Sequence, residues 1–161
     1  MTIIVLALAA LAQDQVDNPE FKGWAGFKPG SSVTFKVVNS VNPQGGEQKI
    51  TLKSVGEAEL VLLTDMTMGD QVVGKGIERK VAAKIPAAKA PQNVKEGEEE
   101  IEAGGKKIKC VTKEFEVKGP SGKPATMKIW VNDEVPGRAA KIDISAEGFK
   151  NSMVAAAWEK K

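Results

Sequence analysis

The side chains that could do chemistry in this chain are few and scattered. Cys110 is the single cysteine, set in the alternating run Ile108-Lys109-Cys110-Val111, and Glu96, Glu98, Glu99, Glu100 and Glu102 crowd just upstream of it. A nucleophilic thiol needs a neighbour that lowers its pKa, most often histidine, and the chain contains none. Lys107 and Lys109 alternate with Cys110 and so point to the other face of a strand, which leaves Cys110 as a small buried hydrophobe. The glutamates could offer oxygens to a hard cation, but contiguous acids match no calcium-loop spacing, and at a strand they read as a solvated edge. Asp65 with Asp70, or Asp133 with Glu134, could be drawn as an acid/base pair for glycoside chemistry, yet the second pair sits beside Pro136-Gly137, where acids serve as turn residues. Ser31, Ser32 and Ser121 lack a nucleophile elbow and a partner base. Met66 and Met68 could bind copper(I) through thioether sulfur, but without histidine they read as core filler or as a flexible wall facing a ligand. Trp130 and Trp158 could stack on a sugar or lipid, and on a sheet they more often serve structure. No catalytic residue, metal site or cofactor is expected, so the chain reads as not an enzyme.

The elements that would position these residues are mostly strands. In 161 residues, 42% hydrophobic and 27% charged, there is enough apolar material for one buried core. A net charge of +2 implies no nucleic-acid partner. Val33, Phe35 and Val37 alternate with polar residues, as do Ile50 and Leu52, then Met127, Ile129 and Val131, with Gly, Pro and Asn clusters between the runs. That spacing predicts about eight antiparallel strands joined by short turns. Residues 84–100, with two prolines and little apolar periodicity, are expected to form an extended, exposed connection. The one helix signal is Asn18-Pro19-Glu20, a cap, a proline and an acid leading to Phe21 and Trp24. With no long helix to cover its oily face, the sheet is expected to curl: an all-β antiparallel meander forming a half-barrel or barrel, with one short N-terminal helix at an open end.

Residues 1–12 form an uncharged apolar stretch, too short to span a bilayer, ending in Ala10-Leu11-Ala12 before the polar Gln13-Asp14-Gln15. It reads as an export signal ahead of a single domain at 13–161, which makes the protein periplasmic or secreted with no transmembrane span. A buried first strand or helix is the alternative reading of the same composition.

The segments Asn18–Phe35, Gly105–Cys110 and Ile129–Arg138 resemble parts of small uncharacterised secreted proteins of planctomycete-type bacteria. Trp130–Gly137 is also similar to a hairpin of antiparallel-sheet families related in shape to bacterial lipoprotein carriers. The resemblance implies a curved sheet that holds acyl chains on its concave face beneath lid helices. This sequence has no lid helices, nor the arginine that such carriers place inside.

Two functional expectations follow. The first is a non-catalytic exported protein that shelters an apolar or amphipathic ligand, such as a lipid, among Val33, Phe35, Val37, Leu62, Met127 and Ile129. The second is a structural or interaction module of the cell envelope, in which the same residues pack on each other and a protein partner binds elsewhere.

Overall fold

The computed structural model describes residues 14–41, 43–119 and 121–161, so the apolar run read as an export signal lies outside the described residues. The elements are β1 (Gln15–Asp17), α1 (Pro19–Ala25), β2 (Ser32–Asn39), β3 (Gly46–Val55), β4 (Glu59–Met68), β5 (Gln71–Ala82), β6 (Lys84–Pro86), a 3-10 turn (Ala87–Lys89), β7 (Lys95–Ala103), β8 (Lys106–Lys118), β9 (Pro124–Val131), β10 (Ala139–Ala146) and β11 (Phe149–Glu159). Nine strands form one antiparallel sheet in the order β5-β4-β3-β2-β11-β10-β9-β8-β7, while β1 and β6 pair separately. The large sheet is thus two meanders, β2–β5 and β7–β11, sewn together where β2 meets β11.

The mostly-β, antiparallel reading holds, with two corrections. Among the described residues there are eleven strands rather than about eight, and the sheet is neither closed nor barrel-like, since β5 and β7 are its edges. Closure was expected because the apolar face lacked a cover. Two short pieces of chain supply that cover instead: α1, and the strap of residues 83–94 between β5 and β7.

The helix forms where its signals stand. Asn18 is the cap, its side-chain oxygen accepting from the Glu20 N–H at 3.0 Å, and Pro19 opens the first turn. Trp24 is buried, and Phe21 and Phe27 pack against the core cluster to which it belongs. At one end α1 meets β5, where the Asn18 N–H donates to Ala83 at 2.9 Å and Glu20 pairs with Arg79. At the other end Trp24 lies on Gly137, between β9 and β10. A Cβ at Gly137 would fall 2.7 Å from the indole, and its φ of +78° already belongs to glycine. Seven helical residues are only about 10 Å long, whereas β5 and β10 in a flat sheet would stand roughly 24 Å apart. The sheet therefore bends toward the helix.

The strap spans the same bend with little slack. It joins the two outermost strands, which a flat sheet would hold about 38 Å apart. Fully extended, residues 83–94 reach only about 40 Å, and the 3-10 turn at Ala87–Lys89 shortens them.

The expected connection at 84–100 is also corrected, because its acidic half is the edge strand β7. Cross-strand charge takes the place of apolar periodicity there: Glu96 stands opposite Lys113, Glu100 opposite Lys109 and Glu102 opposite Lys107. The two-residue turn Gly104-Gly105, with φ of +58° and +74°, closes that hairpin.

Candidate functional site

Strand register sorts the side chains into two faces. One row runs across all nine strands through Gln71, Met68, Gly46, Val37, Met153, Ile142, Ile129, Lys113 and Glu96. The adjacent row, on the opposite face, runs through Val72, Thr67, Glu47, Lys36, Val154, Lys141, Trp130, Thr112 and Gly97. The first face is oily at its centre, while the second is polar over β2–β5 but over β7–β9 buries Ile108, Cys110, Thr112 and Trp130.

On the first face a trough of about 1740 Å³ lies between the sheet and the covering layer. Its floor includes Phe35, Phe115, Met127, Ile129, Ile142 and Met153. Its roof comes from Val16 of β1, from Trp24 of α1, and from Ile85, Ala90, Pro91 and Val94 of the strap. Apart from Phe35, which is 2% exposed, these floor residues are only half-buried. The rim is charged: Glu96 pairs with Lys113 at 3.3 Å, and Asp17 is held between Lys22 (2.5 Å) and Lys84. Hydrogen bonds from these two ammonium groups draw the Asp17 carboxyl down from its ordinary 3.8 to about 2.

Of the residues expected to line a ligand, Val33, Phe35, Met127 and Ile129 border this trough. Val37 shares the central row but packs against the core cluster, outside the lining. Leu62 has no exposure at all, being part of the packed cluster with Leu52, Leu60 and Trp24. Ile142, Met153 and Phe115 were missed, although their alternation was visible in the sequence. The strap residues carried no such signal, because Ile85, Ala90, Pro91 and Val94 have no common period.

The residues considered for catalysis are committed elsewhere. Asp65 accepts from the Gly76 N–H at 2.6 Å, Asp133 accepts from Arg138 Nε at 2.6 Å, and Glu134 pairs with Lys106 at 3.0 Å, which lowers its pKa. Cys110 is 4% exposed, and burial pushes its thiol pKa up, away from the reactive thiolate. Trp130, 5% exposed, lies on the face opposite the trough between the ammonium groups of Lys141 (4.3 Å from the ring centroid) and Lys128 (4.8 Å). Its indole N–H donates to Glu99 at 2.7 Å, and Glu99 also holds Lys128 at 2.5 Å, so both hydrogen bonds keep that carboxylate below the usual range. The Trp158 ring packs against Gly104, whose N–H donates to Ala155 at 2.8 Å, fastening the tip of the β7–β8 hairpin to β11. Both tryptophans brace the sheet rather than face the trough.

Among the described residues, no three acidic or cysteine side chains gather as they would around a metal ion, and no helix is long and apolar enough to cross a membrane. No protein-family model matches the chain, and no curated protein matches it either.

Proposed function

We propose that the protein is an exported, non-catalytic binding protein that shelters an apolar or amphipathic ligand between the sheet and the strap. The observation that carries this reading is the half-buried stretch Met127, Ile129, Ile142 and Met153. It is an apolar floor beside a fully packed core, open to a volume larger than a typical drug-sized pocket of about 300–1,000 Å³. Such a surface gains about 25 cal/mol for each Å² that an apolar guest removes from water. Two methionines in the floor suit a guest of variable shape, since the unbranched thioether repacks readily. The resemblance of the stretch from Trp130 to Gly137 to carrier-like sheets points the same way.

The test is to purify the protein, extract it with organic solvent and examine the extract by mass spectrometry, alongside titration with the fluorescent fatty acid cis-parinaric acid. Co-purifying lipid and saturable fluorescence are expected, and Ile129→Glu should abolish both while leaving the circular dichroism unchanged. An empty extract together with no saturable fluorescence would defeat the reading.

A second reading, an interaction module of the envelope, is favoured by a different surface. The edge strand β5 exposes Val72, Val73 and Ile77 at 69%, 55% and 50%, beside a row of unpaired backbone that a partner strand could join.

A further inference from the structure

The roof of the trough is attached far more lightly than its floor. The floor strands pair over most of their length, whereas residues 84–94 pair with β1 alone, through Gln15 with Pro86, Val16 with Ile85 and Asp17 with Lys84. One further backbone bond, from the Ala87 N–H to Asp14 at 2.8 Å, extends that ladder. Beyond Ala87 the strap bonds to itself, the Ala90 N–H and the Gln92 side chain both reaching back along it. Among the described residues, no hydrogen bond runs from residues 84–94 to a strand of the large sheet. At the β5 end the bend at Ala83 is pinned, because Asn18 donates from its backbone to Ala83 and from its side chain to Ala82 at 2.8 Å. A chain fixed at both ends, at Ala83 and where it enters β7 at Lys95, but tied down between them only by a three-residue ladder over an apolar space, has the construction of a flap. A ladder this short is marginal by itself and opens locally at little cost.

We infer that the strap is the gate of the trough and that β1 is its latch, so that a ligand enters and leaves when the β1–β6 ladder parts and residues 84–94 lift from the sheet. The inference rests on the binding reading above and adds its regulation. The ion pairs from Asp17 to Lys84 of β6 and to Lys22 of α1 tie the latch to the helix that covers the other meander, so the closed cover is one connected layer. A gate changes the rates of entry and exit together and leaves affinity nearly untouched.

The experiment locks the latch. Gln15 and Pro86 face each other across the ladder, where antiparallel partners bring Cα atoms within disulfide reach, and the native Cys110 is buried out of the way. In the intact chain carrying Gln15→Cys and Pro86→Cys, cis-parinaric acid should associate and dissociate at least about tenfold more slowly when oxidised than when reduced, with little change in Kd. Asp17→Ala should speed both steps severalfold. Equal rates in the oxidised and reduced forms would overturn the gate while leaving the binding reading intact. Amide hydrogen exchange covers the case in which the probe fails to bind at all. Residues 84–94 should exchange as a group, faster than β8–β11, and the disulfide should suppress that exchange; protection equal to the core would show that no gate exists.

Discussion

The two meanders share one sheet, and the face that bears α1 and the strap is used differently by each. Over β2–β5 the helix has closed it: Leu52, Leu60 and Leu62 have no exposure, and Val33 and Val81 have almost none. Over β8–β11 the corresponding positions, Phe115, Met127, Ile129, Ile142 and Met153, stay half-exposed beneath a strap that does not pack tightly against them. Covered apolar surface contributes to stability, whereas uncovered apolar surface is available to a guest. The difference lies in seven helical residues, not in the strands.

Truncations in the two regions should therefore separate stability from binding. Leu62→Ala should cost about 3 kcal/mol in denaturant unfolding, as for a fully buried leucine whose site cannot collapse, with little effect on a bound probe in the folded fraction. If this variant were as stable as the parent, the helix-covered half would not be the folding core. Next in size is Gly137→Ala, expected to cost about 2 kcal/mol, because a methyl group at positive φ would strike the Trp24 ring and lift the helix. An accompanying rise in Trp24 exposure, read by fluorescence quenching, would show that the cover has been displaced.

Ile129→Ala should be milder, about 1 kcal/mol, since its side chain is only partly removed from water. Its effect on cis-parinaric acid affinity should be proportionally larger than its effect on stability, the reverse of Leu62→Ala. The smallest effect concerns the latch. The Asp17 carboxyl is held at about 2 against an ordinary 3.8, so its contribution is fully present above pH 4 and is lost as pH falls through 2. Hydrogen exchange in β6 should rise over that window while β9 and β10 stay protected, and Asp17→Asn should remove the pH dependence.

How much was legible in the sequence varies with the range of the interactions. The N-cap at Asn18, the alternation through Val33, Phe35 and Val37, and that through Met127 and Ile129 are local patterns, and each appears as read. The acidic strand β7 was hidden because a strand paired through charge has no apolar period to display; the basic Lys106–Lys113 partner reveals it only once the two are side by side. Leu62 and Met127 look alike as strand hydrophobes. What separates them is whether α1 lies above, and no residue near either position encodes that.

Composition and spacing alone determined that the chain is built of antiparallel strands with one short helix, and that it lacks histidine to activate its lone thiol, because these depend on residue types and near neighbours. Only the tertiary structure decided that the sheet stays open, that a twelve-residue piece of chain from edge to edge becomes its roof, and which half of the oily face is sealed. Those outcomes depend on distances between residues far apart in sequence: the short reach of the helix bends the sheet, and the strap runs across the space so formed.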